Sequence, residues 1–147
     1  EKEEVKRAFR MELIDLTDNK YEGFNKPLNL LLRSCMNDDK YKVKIEAGIK
    51  WLLLYTGKKL LGAFQLNNEY DILYLCLAGN YKRITIPKQA TEQAIIYLQN
   101  KTGKEPRIKL KRTSLDLNEK INMYTKLGFK VYDSNDLFTF MKLVDTQ

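Results

Sequence analysis

Three strand-like segments in quick succession constrain the fold of this chain more than any other feature. They cover residues 49–56, 60–67 and 70–77, and the spacers Thr56–Lys59 and Asn67–Glu69 separate them. Spacers this short leave room only for hairpins, so the three strands are predicted to be antiparallel neighbours.

A strand–helix–strand unit follows these hairpins. A helix is predicted from Pro87 to residue 102, where Gly103 ends it, and a strand is predicted over 107–113. Two strands joined by a helix run parallel and are linked by a right-handed crossover, so strands 70–77 and 107–113 should form a parallel pair. The prediction is a mixed sheet with helices packed on it.

The remaining elements are read from apolar periodicity. A first strand is expected near residues 8–16. A helix opens at Asn25-Lys26-Pro27, and a weaker helix is expected over 39–47, ended by Gly48. The helix that opens at Asn25 has one apolar face at helical spacing, made of Leu28, Leu31, Leu32, Cys35 and Met36.

The last third of the chain should hold one more helix and two strands. Asp116 to Glu119 has capping-box spacing for the helix, and Gly128 should end it. Strands are expected at 130–132 and 137–143. The 147 residues contain no repeat, low-complexity segment or Pro/Gly/Ser linker, so residues 1–147 are predicted to form one domain.

The chain contains no histidine, which excludes a Ser-His-Asp or Cys-His nucleophile system and a histidine-bearing zinc site. No metal site is predicted. Cys35 and Cys76 both lie in apolar runs, and two buried free thiols in a reducing compartment are favoured over a disulfide or a nucleophile. With no apolar run long enough for a membrane span and no visible signal peptide, a cytoplasmic location without membrane contact is expected.

The formal net charge of +7 favours anionic partners. Its densest cluster is Arg107, Lys109, Lys111 and Arg112. Strand alternation puts Arg107, Lys109 and Lys111 on one face and Ile108 and Leu110 on the other. A solvated strand face is the preferred interpretation of this cluster. Nucleic-acid binding is an unfavoured alternative, since no aromatic residues interleave with the cluster and no base-reading motif is present.

The segment Asn122-Met123-Tyr124-Thr125-Lys126-Leu127-Gly128-Phe129 resembles the late signature of the GCN5-related N-acetyltransferase (GNAT) family, Leu-Tyr-x-Lys-Leu-Gly-Phe. The element order agrees over nearly the whole chain, and residue identity agrees from about residue 115. The resemblance implies a single-domain α+β fold. Its mostly antiparallel sheet has six to seven strands with one splayed parallel pair, flanked by about four helices.

The resemblance also implies where acetyl-CoA binds. The family's pyrophosphate loop corresponds to residues 79–90, where Asn80-Tyr81-Lys82 looks like the usual Glu-Tyr-Arg but the glycines that should follow are absent. The implied contacts are the cations Lys82, Arg83 and Lys88 and the amides of Lys88, Gln89 and Ala90 at the helix start. The backbone of Leu75 and Leu77 would pair with the pantetheine arm, and Asn118 would contact the cofactor.

Tyr124 matches the tyrosine that in the family often protonates the departing thiolate. A structural role is the alternative, since its spacing from Ile121 and Leu127 also fits core packing. The resemblance therefore implies direct acetyl transfer from acetyl-CoA to a primary amine. The alternatives are a catalytically inactive binding domain of the same fold and a nucleic-acid-binding module.

The acceptor amine and a homodimer are left open. In this fold the acceptor pocket lies between residues 25–47 and the last hairpin. Leu30, Met36 and Tyr41 would add apolar surface there, and Asp38 and Asp39 could attract an amine.

Overall fold

The computed structural model describes residues 9–78 and 85–144, with backbone only for 85–87. This part of the chain contains seven strands, three α-helices and one 3-10 helix. In chain order they are β1 (Arg10–Ile14), the 3-10 helix (Asn19–Phe24), α1 (Asn25–Met36), β2 (Lys50–Thr56), β3 (Lys59–Leu66), β4 (Ile72–Leu77), α2 (Thr85–Thr102), β5 (Ile108–Lys111), α3 (Leu117–Lys126), β6 (Phe129–Ser134) and β7 (Phe138–Leu143). Among these helices, none is long and apolar enough to cross a membrane.

The seven strands form one sheet in the order β1-β2-β3-β4-β5-β7-β6. Every neighbouring pair is antiparallel except β4 and β5, which run parallel. The predicted fold class, a mostly antiparallel mixed sheet with one parallel pair, is confirmed. Apolar side chains cover both faces of the sheet. Leu52, Phe64 and Leu75 face α2 and α3, whereas Trp51 and Leu53 face α1.

β4 and β5 separate almost at once. Among the described residues their ladder contains one pair, Ile72 with Ile108. The β3–β4 register shifts between Gln65 and Leu66, which leaves Leu73 as an extra residue in β4. Such a bulge bends the strand that carries it. The splay between the parallel strands therefore begins at the residue after their last pairing.

An ion pair holds the closed end of this gap. Asp71 is 5% exposed and accepts a hydrogen bond from Nε of Arg107 at 3.0 Å. The hydrogen bond to Asp71 is the main cause that raises the pKa of Arg107 above its usual value. Asn67 Oδ1 also accepts the Asp71 N–H at 2.9 Å, so the turn before β4 is tied to the strand start.

The helix predicted over residues 39–47 is wrong, since this segment contains turns and irregular backbone. Side chains of α1 hold it in that conformation. The Val43 N–H donates to Oδ1 of Asn29 at 2.6 Å, and Nε of Arg33 donates to the Tyr41 carbonyl at 2.8 Å. These contacts compete with a backbone ladder, and a weak helix pattern loses to them.

The expectation of two free thiols is also wrong. Cys35, in the last turn of α1, and Cys76, in β4, form a disulfide with their Cα atoms 6.0 Å apart. Both residues sit on the sheet face that α1 covers. The packing of α1 across β4 brings them together, and this distance cannot be read from a sequence separation of 41 residues.

Candidate functional site

The gap between β4 and β5 opens into a cleft of about 750 Å³. Its floor is formed by the diverging strands, and its rim by the ends of two helices. The wall residues are Cys35, Met36, Gln65, Asn67, Leu73, Tyr74, Lys109, Leu110, Lys111, Ser114, Asp116, Leu117, Lys120 and Phe138. A concave site with apolar walls and a few converging polar groups is the usual form of a small-molecule site.

The backbone of β4 offers hydrogen-bonding groups to this gap. The Ala78 N–H donates to the Leu61 carbonyl at 2.7 Å, so Ala78 and Leu61 form a hydrogen-bonded pair. Such pairs alternate along an antiparallel ladder. Leu75 and Leu77 therefore direct their N–H and C=O groups away from β3 and towards β5, beyond the point where the β4–β5 ladder ends.

Tyr124 lies beside this gap but within the core. Its side chain is fully buried, and its ring packs edge-on against Phe129 with centroids 6.1 Å apart. Within the described residues its hydroxyl makes no hydrogen bond of full geometry, although the backbone of Leu75 lies close enough to interact with it. Burial raises the pKa of Tyr124 well above the ordinary value, with Tyr74 as a further cause, while the backbone of Leu75 acts in the opposite direction.

The hydroxyl of Tyr124 is therefore a neutral donor near Leu75, behind the cleft wall rather than part of it. An unpaired buried hydroxyl costs on the order of 1–3 kcal/mol, so an acceptor atom placed in the gap would relieve that cost. The same side chain packs with Ile121 and Leu127 in the core, so the structural alternative also accounts for its burial.

The start of α2 decides which of the predicted cofactor-binding amides lie at the end of the helix. Helix α2 begins at Thr85, two residues before Pro87, so Gln89 and Ala90 are its fifth and sixth residues. At these positions the amides fall within the intrahelical ladder, since only the first N–H groups of a helix lack a partner inside it. Ala90 is fully buried and packs with Leu54 and Leu61.

The remaining predicted cofactor contacts are the side chains of Lys82, Arg83, Lys88 and Asn118. Lys82 and Arg83 lie outside the described residues. The side chain of Lys88 reaches the end of α3, where its Cε would be 3.5 Å from a Cβ at position 128. Asn118 is exposed on the first turn of α3 and is not among the wall residues of the cleft.

Only one of the residues predicted for the acceptor pocket lines this cleft. Met36 lines the cleft, but Leu30 and Tyr41 do not. Asp38 and Asp39 are exposed and outside the cleft, and Oδ1 of Asp38 accepts the Lys40 N–H at 3.0 Å in a local turn. No acidic wall is formed by these two residues.

The acidic residue that does line the cleft is Asp116. Its carboxylate accepts the Ser114 hydroxyl and lies 3.5 Å from Nζ of Lys120, instead of capping the first turn of α3 as its spacing with Glu119 predicted. The hydrogen bond from Ser114 is the main cause that lowers the pKa of Asp116, so this group is ionised at neutral pH.

Several residues that line the cleft were not predicted as site residues. They are Tyr74, Lys109, Lys111, Lys120 and Phe138. The alternation of Lys109 and Lys111 was visible, and their outward face is confirmed by the burial of Ile108 and Leu110. Their aromatic neighbours were not visible, since they come from β7 and depend on the β5–β7 register.

The basic strand face is not simply solvated, as the preferred interpretation had it. Nζ of Lys109 lies 4.2 Å from the ring centroid of Phe138, and Cζ of Arg107 lies 4.1 Å from that of Phe140. Cations and aromatic rings thus interleave in space although they do not in sequence.

Comparison with known proteins supports the architecture. No protein-family model matches the chain, and no curated protein sequence matches it. The aminoglycoside acetyltransferase meta-AAC0020 from an uncultured soil metagenomic sample, in complex with sisomicin, superposes with a TM-score of 0.58 at 12% identity, over 89% of this chain and 94% of its own.

Two solved structures from E. coli are similar to the same extent. YhhK, which is assigned as an N-acetyl transferase and was solved bound to coenzyme A, has a TM-score of 0.55 at 11% identity over 93% of this chain and 99% of its own. The ribosomal-protein-S18-alanine N-acetyltransferase has a TM-score of 0.53 at 12% identity over 92% and 93%. At these identities the likeness establishes the architecture, and the chain has the fold of the GCN5-related N-acetyltransferases.

Proposed function

We propose that this protein is an acetyl-CoA-dependent N-acetyltransferase that moves the acetyl group directly from CoA to a primary amine. One observation carries the proposal. The buried hydroxyl of Tyr124 lies beside the backbone of Leu75, in the strand whose outward backbone groups have lost their partner strand. The fold shared with CoA-bound YhhK supports the same interpretation.

The chain's own groups suit the parts of such a cofactor. The N–H and C=O groups of Leu75 and Leu77 would pair with the amides of a pantetheine arm lying in the gap. The amides of Thr85 and Ile86, in the first turn of α2, have no partner within the helix and would be available to a pyrophosphate. Lys82, Arg83 and Lys88 would add positive charge near that helix end, and Asn118 would contact the cofactor from α3.

In the proposed reaction Tyr124 loses one proton and regains one. The neutral acceptor nitrogen attacks the thioester carbonyl carbon and forms the C–N bond, while a backbone N–H of β4 polarises the carbonyl oxygen. The C–S bond breaks with its electron pair left on sulfur. Tyr124 donates its phenolic proton to that sulfur and regains a proton, through water, from the nitrogen that has been acylated.

This reaction would take place where acetyl-CoA is available, which we propose to be the cytoplasm. The disulfide between Cys35 and Cys76 would then have to persist against reducing thiols.

The test is Tyr124→Phe, which keeps the ring and removes only the hydroxyl. Acceptors from amino acids, phosphorylated amines, polyamines, aminoglycosides and Lys-bearing peptides are screened first by detection of released free thiol. Turnover should fall roughly 10²–10⁴-fold, the range for a positioned acid. CoA affinity should hold, and the melting temperature should stay unchanged or rise slightly, since the hydroxyl makes no hydrogen bond of full geometry.

Tyr97→Phe is the matched control, because Tyr97 is a partly buried tyrosine of α2 that is not part of the cleft wall. Its turnover should equal that of the parent protein. Full activity of Tyr124→Phe would remove this residue from the mechanism. CoA binding without turnover on any acceptor would instead favour the catalytically inactive binding domain.

A further inference from the structure

The charge of the cleft wall points to a class of acceptor, and this inference rests on the proposed function. We infer that the acceptor amine also carries an anionic group, a carboxylate or a phosphate, which Lys109 and Lys111 bind. Both lysines lie on the same face of β5 and line the cleft.

The positive charge at this wall is not neutralised by the residues that the structure describes. Asp116 pairs with Lys120 at 3.5 Å, which accounts for the acidic residue of the wall and one of its three lysines. Among the described residues, Lys109 and Lys111 have no acidic side chain within ion-pair distance. Two cations therefore face the cleft with no counter-charge from the described part of the chain.

One of these cations is held in place. The ammonium group of Lys109 rests over the ring of Phe138, which also lines the cleft. An ammonium on an aromatic face loses part of the conformational freedom that an exposed lysine keeps, so less entropy is lost when an anion binds. This arrangement suits a recognition site better than a solvated surface.

A polycationic acceptor would find no free carboxylate among the described residues of the cleft wall. Asp38 and Asp39 lie outside the cleft, and the carboxylate of Asp116 is already occupied by Ser114 and Lys120. Like charges placed together in a cleft repel one another strongly enough to exclude a partner. Polyamines and aminoglycosides should therefore be poor acceptors.

The geometry also limits the separation of the two groups in the acceptor. The amine must reach the thioester in the gap at β4, whereas the anion binds on β5. Adjacent strands lie about 5 Å apart and further where they splay. An amine and an anion that are several bonds apart fit this spacing better than an α-amino acid.

The test compares acceptors that differ only in the anion. Phosphoethanolamine is compared with ethanolamine, and γ-aminobutyrate with butylamine, with spermidine as the polycation. Both kcat/KM and the Kd from calorimetry in the presence of CoA are measured. The anionic member of each pair should be preferred at least 10-fold, and the preference should shrink as salt is raised.

The variant Lys109→Gln with Lys111→Gln should abolish that preference through KM, with kcat and the Kd of CoA retained. Lys101→Gln is the control, because this lysine rests over Tyr97 on α2, outside the cleft. An unchanged preference in the double variant, or a preference of the parent protein for spermidine, would overturn the inference.

The calorimetric measurement separates this inference from the proposed function. If anionic amines bind with an affinity that depends on the two lysines but are never acetylated, the proposed acetyltransferase activity is contradicted and the anion site is supported. If neutral amines are acetylated and anionic amines are not preferred, the activity is supported and the anion site is contradicted. Failure of every anionic amine to bind would overturn the inference whatever the turnover.

Discussion

Two residues of the α3–β6 junction, Tyr124 and Gly128, have opposite requirements. The large side chain of Tyr124 fills space in the core, where its ring packs against Phe129. Gly128 supplies backbone freedom, with a φ of +105°, and its carbonyl accepts the Val144 N–H at 2.8 Å. The prediction that Gly128 ends α3 is thereby confirmed. The chain must reverse here so that Phe129 can begin β6 beside β7.

Gly128→Ala should destabilise the protein by about 1–2 kcal/mol, the usual cost of a side chain in left-handed backbone. Space is not the cause, since the added Cβ would lie 3.4 Å from Cδ1 of Leu143. Thermal melting measures the effect, and Gly23→Ala is the control because a Cβ there meets nothing within 4 Å. Equal melting temperatures for the two variants would contradict the strain argument.

At the scale of elements, the disulfide joins α1 to β4 at the wall of the cleft. Cys35 lines the cleft, whereas Cys76 is 1% exposed beneath the helix. The bond closes a segment of 41 residues, which contains the irregular stretch 39–47 as well as β2 and β3. It therefore restricts the separation of α1 from the strand that lines the proposed cofactor gap.

Reduction of this disulfide should lower the stability by roughly 4 kcal/mol on the chain-entropy model for a loop of this length. The melting temperature should fall by about 10 °C in the presence of a reductant. The double variant Cys35→Ser with Cys76→Ser should already melt low and should not respond to the reductant. A parent protein that titrates two free thiols after unfolding without reductant would show that the bond does not form.

At the scale of the whole molecule, the sheet is closed on both faces by helices around β2, β3 and β4, yet it opens between β4 and β5. The bulge at Leu73 and the single pair Ile72–Ile108 make this opening a property of the backbone. The net charge of +7 then favours an anionic ligand over a neutral one.

CoA should stabilise the whole domain by mass action. At 100 times its Kd the gain is about 2.7 kcal/mol, which corresponds to a rise of roughly 5–10 °C in melting temperature. Raised salt should reduce the shift, because phosphate contacts are screened.

Lys82→Ala with Arg83→Ala should reduce the CoA shift further, whereas Lys58→Ala, in the β2–β3 turn, should not. Salt-matched ATP and a DNA duplex serve as competing ligands. An equal shift with the duplex would favour the nucleic-acid-binding alternative.

The order of the seven strands and three α-helices follows from the sequence alone, whereas the 3-10 helix over Asn19–Phe24 was not predicted and no helix forms over 39–47. Apolar periodicity is a local property, so it identified the three central strands, the face of α1 that buries Leu28 and Leu32, and the burial of Ile108 and Leu110. Short spacers excluded anything but hairpins, and the single long crossover required the parallel pair. The resemblance from residue 115 onward led to the fold that the structure has.

The contacts between distant segments can be identified only in the folded chain. The Cys35–Cys76 bond, the gap after Ile72 and the placing of Lys109 over Phe138 each depend on register and packing that no local pattern encodes. Residues 39–47 departed from their local signal for the same reason, since the side chains of α1 offered stronger partners. Asp116, in contrast, pairs with Ser114 and Lys120, which are near neighbours in sequence. Local propensities are weak compared with tertiary contacts, and the candidate site is made almost entirely of the latter.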